Sequence, residues 1–121
     1  MKTIFEDMKN TAKNLLDGAE KAQYTQAIVL LSQRSNEYAA VINNAISKEK
    51  REEEALLKRL KDADDTEVRY LLCMWADGNI DFPSFDFRKM LCEVSEKNID
   101  TQIFVMTQNG VALKKLEATM K

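Results

Sequence analysis

Residues 24–45 read YTQAIVLLSQRSNEYAAVINNA, and the fold turns on how that stretch is read. Tyr24, Ile28, Leu31, Ser35, Tyr38, Ile42 and Ala45 fall alternately four and three residues apart. That is the spacing of a heptad seam, and Ala27, Val41 and Ile46 widen it. The pattern lasts about three heptads, so it predicts either a core helix of a bundle or a coiled-coil helix that pairs with another chain.

The next segment sharpens the choice. KEKREEE, residues 48–54, is an unbroken run of charge and reads as a solvated helix face. The apolar pattern resumes at Ala55, Leu56, Leu57, Leu60 and Ala63, and no Gly or Pro interrupts the chain from 19 to 77. An unbroken helix over 19–63 would be about 68 Å long at 1.5 Å per residue. Either the chain bends near Ser47, or this helix projects and meets a partner.

On the N-terminal side, Ile4, Phe5, Met8, Ala12, Leu15 and Leu16 predict an amphipathic helix over 3–17. Thr3 and Glu6 are spaced as a capping box, and Gly18 stands as its C-terminal glycine. On the C-terminal side, Asp64 and Glu67 predict a second capping box, with a helix through Val68, Leu71, Leu72, Met74 and Trp75 that stops at Gly78. The competing reading of 68–75 is a buried strand. Pro83 and Ser84 open a further helix over 84–97, and Ile103 to Met106 predict a short strand over 102–106. Thr107 then caps a terminal helix over 108–120, in preference to a hairpin turning at Asn109-Gly110. The strand would pair with 79–82 or with another chain. The expected fold is therefore mainly α: one helical-bundle domain over 1–121, with a helical hairpin or long helix over 1–63 and a compact helical part over 64–121.

Composition narrows the function. The chain has 121 residues, 18 basic and 20 acidic, with a net charge of −2. That balance fits neither a basic nucleic-acid binder nor an acidic mimic. There is no histidine, so His-dependent triads and imidazole metal ligands are excluded. Cys73 and Cys92 alone cannot close a four-ligand zinc site. GxxxxGK[ST] and GxGxxG are absent. The N-terminus carries charges where a signal peptide has an apolar core, and no apolar run is long enough for a membrane span. A cytoplasmic setting with reduced thiols is expected. No catalytic residue, metal site or cofactor is predicted, and the expectation is a protein that is not an enzyme.

Two stretches resemble known families. Asp77-Gly78-Asn79-Ile80-Asp81 resembles the second half of an EF-hand calcium loop, with Gly78 at its glycine and Ile80 at its apolar position. The resemblance implies oxygen ligands at Asp77 and Asp81 and a carbonyl at Asn79. However, Cys73, Trp75 and Ser84 fall where the other ligands belong, and too few oxygens remain for calcium. Phe104 to Leu116, with Thr107, Gly110 and Leu113 at T-x-x-G-x-x-L spacing, resembles the end of a winged-helix transcription regulator. That resemblance implies DNA binding through Arg88, Lys89 and Lys97 on the preceding helix.

The leading expectation is a protein–protein interaction or oligomerisation module, with a protein or a second copy as partner. A small inhibitor or regulator from a phage or mobile element, acting by covering a host protein, is one form of it. Its contact residues would be Tyr24, Leu31 and Tyr38 on the seam, Lys48 and Arg51 on the charged helix, and Trp75, Phe82 and Phe85 at the aromatic junction. The alternative is the winged-helix-like DNA-binding regulator.

Overall fold

The computed structural model describes residues 2–20, 22–43 and 48–120, with backbone alone for Lys2 and Thr3. At its centre lie two strands, β1 (Gln26–Ser32) and β3 (Val68–Trp75), paired antiparallel. β2 (Glu37–Ile42) pairs antiparallel with the other side of β1. β4 (Gln102–Thr107) runs parallel to β3, and β5 (Gly110–Lys115) returns antiparallel to β4. The result is a five-stranded mixed sheet in the order β2-β1-β3-β4-β5.

Helices cover both faces. On one face α1 (Lys2–Asp17) lays Phe5, Met8, Ala12 and Leu16 against Ala27, Val29, Tyr70, Leu72, Met74 and Phe104. The Phe104 ring stacks on Tyr70 at 5.3 Å and meets Phe5 at 5.2 Å. On the other face α2 (Arg51–Asp62) and α3 (Phe85–Val94) bring Leu56, Leu57, Leu60, Phe87 and Leu91 onto Ile28, Leu30, Leu71, Cys73, Ile103 and Val105.

This is an α/β fold, and the mainly α expectation is corrected. The seam residues Ala27, Ile28, Leu31, Tyr38, Val41 and Ile42 lie on two strands of a hairpin and do not share a face. Ile28, Tyr38 and Ile42 lie on the α2/α3 side, whereas Ala27 and Leu31 lie on the α1 side. A strand covered on both faces loses its polar alternation, and its apolar letters then imitate a helical stripe. The turn is made at Ser32–Asn36, where Ser35 has φ 68° and the Ser32 amide donates to the Asn36 carbonyl at 2.9 Å. No helix over 19–63 exists to bend, project or form a coiled coil; the 12-residue α2 is its helical remnant. The expected cap at Thr3, the seam residues Ala45 and Ile46, and the bend near Ser47 lie outside the described residues.

The C-terminal half is corrected in the same way. Asp64 starts no helix: it adopts φ 51° in a turn where the Asp65 amide donates to the Leu60 carbonyl at 3.0 Å. The apolar run after that turn is β3, and Gly78, at φ 87°, turns the chain beyond it. Thr107 closes a hairpin: its hydroxyl donates to the Gly110 carbonyl at 2.7 Å and accepts from the Asn109 amide at 3.2 Å. β5 and a 3₁₀ turn at Leu116–Thr119 replace the terminal helix. The strand expected over 102–106 is β4, and its partners are β3 and β5. Segment 79–82 contributes the Ile80 carbonyl, which accepts from the Met106 amide at 3.0 Å.

Two side chains finish the sheet. Arg59 donates to the Ala39 carbonyl at 2.8 Å, covering part of the β2 edge. Asn98 is fully buried, accepts from the Val68 amide at 2.8 Å and donates to the Thr66 and Leu91 carbonyls at 2.9 Å each. It ties the start of β3 to the end of α3. No helix among the described residues is long and apolar enough to cross a membrane.

Candidate functional site

The register brings three chain ends together. Gln26 opens β1, Ile42 closes β2 and Trp75 closes β3, and Gln26 is paired with both of the others. From Ile42 the chain leads to α2, where Asn43 donates its backbone amide to Glu52 Oε1 at 2.9 Å. From Trp75 it leads to α3. There the Asp81 amide donates to the Cys73 carbonyl at 3.1 Å, and Ser84 Oγ caps the helix by accepting from the Phe87 amide at 3.1 Å. The N-terminal ends of α2 and α3 therefore flank the same end of the sheet, on the same face.

Gln26 is the unusual group there. It is 1% exposed, and its Oε1 accepts from Cys73 Sγ at 3.1 Å. Its Nε2 is buried with no hydrogen-bond partner, alone in this among the side chains of the described residues. Buried polar atoms are paired as a rule, and an exception calls for a cause. Cys73 is fully buried; that burial, helped by the charge of Asp81, pushes its thiol well above the usual range and keeps it a donor.

Glu53 is the buried carboxylate of the same region. It stands three, four and seven residues before Leu56, Leu57 and Leu60, so the stripe that packs α2 on the sheet includes it. It is 3% exposed, and burial raises its pKa, against the pull of Lys50, whose Nζ lies 3.7 Å away. The expectation of a solvated helix face over 48–54 fails at this residue. A carboxyl whose pKa burial raises suits proton transfer.

Over the same end runs an open groove of about 720 Å³, lined by the side chains of Tyr24, Trp75 and Phe82 with Asp77, Asn79 and Asp81. The structure thus brings together three of the residues singled out in the sequence: Tyr24, Trp75 and Phe82. Phe85 is 51% exposed, with Arg88 5.8 Å over its ring. Leu31 and Tyr38 belong to the sheet, and the Tyr38 hydroxyl donates to Asp65 at 2.9 Å. Lys48 and Arg51 are exposed, Arg51 beside Glu49 at 3.7 Å. A second groove of about 780 Å³ between α2 and α3 has Leu57, Met90 and Val94 among its lining, but all its ionisable groups are exposed.

The residues proposed for DNA do not form a basic surface. Arg88 donates to the carbonyls of Pro83, Ser84 and Thr119 and lies 5.4 Å over the Phe82 ring. Lys97 pairs with Glu67 at 3.8 Å, and Lys89 stands exposed on α3. Sequence reasoning missed Gln26 and Glu53. The spacing of Glu53 ahead of Leu56, Leu57 and Leu60 was a usable signal. Gln26 offered none, because its partner Cys73 lies 47 residues away.

No protein-family model matches the chain, and no curated protein does. Solved structures do. Cytidine deaminase from Mycobacterium leprae matches with a TM-score of 0.67 at 14% identity, over 96% of each chain. Cytidine deaminase from Mycobacterium tuberculosis matches with a TM-score of 0.66 at 13% identity, over 95% of this chain and 92% of that one. The Burkholderia pseudomallei cytidine deaminase matches with a TM-score of 0.65 at 12% identity, over 93% of each.

The likeness is one of fold.

It spans nearly the whole chain, and it overturns the expectations built on a helical bundle. The coiled-coil or oligomerisation module and the winged-helix DNA binder required elements that the sheet replaces, and the small inhibitor or regulator, expected for its size, acidity and lack of motifs, gives way to the enzyme-type architecture. The expectation of a non-enzyme rested on the missing histidine and the missing catalytic motifs, and the architecture is instead one that solved enzymes share.

Proposed function

We propose that this chain is a deaminase-type enzyme that binds a nucleobase-like ring between the N-terminal ends of α2 and α3. Gln26 is its recognition donor and Glu53 its proton-transfer group. The observation that carries the reading is the orphan Nε2 of Gln26, a buried donor at the end of the sheet where two helices converge. Leaving such a donor unpaired costs about 1–3 kcal/mol, which a ligand acceptor would offset. The aromatic groove at the same end of the sheet, reached through Trp75 opposite Gln26 in the ladder, offers Trp75, Tyr24 and Phe82 to a flat ring. The family of the structural neighbours supplies the substrate class by analogy of fold.

Zinc is the group this fold implies, because nucleobase deaminases of the zinc class hold the metal with His and Cys ligands in an H-x-E…P-C-x-x-C pattern. The residues here do not fit it. Pro83-Ser84-Phe85-Asp86-Phe87 has the proline but carries Ser and Phe where the pattern has Cys. Ser84 Oγ caps α3, and Phe87 is fully buried in the core. Arg51, two residues before Glu53, has a side chain that is 86% exposed. No three His, Cys, Asp or Glu side chains converge among the described residues. No step through zinc is therefore derived. What the chain's own residues supply is ring binding and proton exchange at Glu53. A cytoplasmic setting belongs to this reading, supported by the two free thiols of Cys73 and Cys92.

Calorimetric titration with cytidine and cytosine, alongside ammonia release, tests it. Gln26→Met is expected to weaken binding at least about tenfold, and Glu53→Gln to keep binding while losing turnover. Absence of binding by the wild-type protein at millimolar ligand would overturn the reading.

A further inference from the structure

Beyond the existence of a ring site, the structure points to which edge of the ring it takes, an inference that rests on the proposed function. The Gln26 amide can present either a donor or an acceptor, and its neighbour decides between them. Cys73 Sγ lies 3.1 Å from Oε1. The thiol is fully buried and kept protonated, so it has a hydrogen to give and the oxygen is the atom that takes it. Oε1 is thereby occupied, and Nε2 is turned away from Cys73 as a free donor pair. Among the described residues no acceptor takes it. Since Nε2 is shut off from solvent, a ligand acceptor that meets it lies within the fold.

We propose that Cys73 is a positioning residue that locks the Gln26 amide with Nε2 facing away from the thiol, so that the site selects a ring presenting a carbonyl acceptor and rejects one presenting an amino donor at the same place. A donor facing a donor leaves two buried groups unpaired, the arrangement that gives a hydrogen-bonding site its discrimination.

Two small probes of equal size separate the cases: 2-pyrimidinone, with an acceptor carbonyl, and 2-aminopyrimidine, with a donor amine in its place. Wild-type protein is expected to bind 2-pyrimidinone at least about tenfold more tightly. Cys73→Ala frees the amide to turn over, and the preference should fall severalfold. Cys73→Ser keeps a donor and should retain it. Equal or tighter binding of 2-aminopyrimidine by the wild type would overturn the inference while leaving the ring site standing. An undiminished preference in Cys73→Ala would do the same. A second readout needs no ligand. In spectra of 15N-glutamine-labelled protein, the Gln26 side-chain amide should move clearly more in Cys73→Ala than in Cys73→Ser. Equal shifts, as from a merely space-filling thiol or from an internal water holding Nε2, would overturn the positioning role. If neither probe nor cytidine binds, the proposed function fails, and the amide spectra still decide the role of Cys73.

Discussion

Replacing Gln26 with methionine should make this protein more stable and less able to bind. Met matches the length of Gln, carries no donor and suits an apolar site. In the wild type the buried Nε2 has no partner, at a cost of about 1–3 kcal/mol. The substitution removes that cost. It also removes the acceptor for the Cys73 thiol, a weak donor whose bond contributes about 0.5–1 kcal/mol. The difference is a gain of about 1 kcal/mol, which for a chain of this size raises Tm by about 3–6 °C. Urea unfolding read from Trp75, the single tryptophan, and from far-UV circular dichroism measures it, with the midpoint compared at unchanged m-value. A loss of 1 kcal/mol or more would refute the reasoning, because Nε2 would then have a partner in the ligand-free protein. A gain in stability accompanied by undiminished ligand binding would separate the orphan donor from function.

Single groups elsewhere carry further expectations. Asn98→Ala strips partners from the buried Val68 amide and from the Thr66 and Leu91 carbonyls, and should cost about 3 kcal/mol or more in urea denaturation; a loss below 1 kcal/mol would contradict that. Because the Glu53 carboxyl is raised by burial, the native state binds its proton more tightly than the unfolded chain. Its contribution is present at low pH and lost as pH rises through the raised value. Glu53→Gln should therefore gain stability relative to wild type as pH rises above the ordinary carboxylate range, and an unchanged difference would contradict the burial. Asp65 has the opposite sign. Burial alone would raise its pKa, but hydrogen bonds from Asn36, Ser32 and Tyr38 outweigh it and the net shift is downward. Asp65→Asn should erase a loss of stability otherwise seen on acidification below the carboxylate range. Dialysis against a chelator should leave cytidine affinity unchanged, as measured by titration before and after; a large drop would show that a metal holds the site after all.

Helices bounded by local signals were legible in the sequence. α1 shows its apolar stripe and Gly18, and α3 shows Pro83 and Ser84, the latter bonded to the Phe87 amide as a cap should be. β4 was legible from its β-branched and aromatic letters. β1 was not, and β3 showed only as the competing reading of 68–75, because each is covered on both faces by α1 and by α2 with α3, and burial on both sides removes the polar alternation that marks a strand. The 24–45 hairpin then passed for a heptad seam, since Ser35 gave no hint of the positive φ that turns it. Of the site, Trp75 and Phe82 stood out by size alone. The Gln26–Cys73 pair is a cross-strand contact that no local pattern encodes, and Glu53 was hidden among neighbouring charges that are mostly exposed.

The most direct measurement of the central claim uses Trp75, which lines the groove and faces Gln26 across the β1–β3 ladder. Titrating cytidine while following its emission should give a saturable change in the wild type, displaced to at least about tenfold higher concentration in Gln26→Met. Flat emission to millimolar cytidine, or the same curve in both proteins, would contradict a ring site built around Gln26.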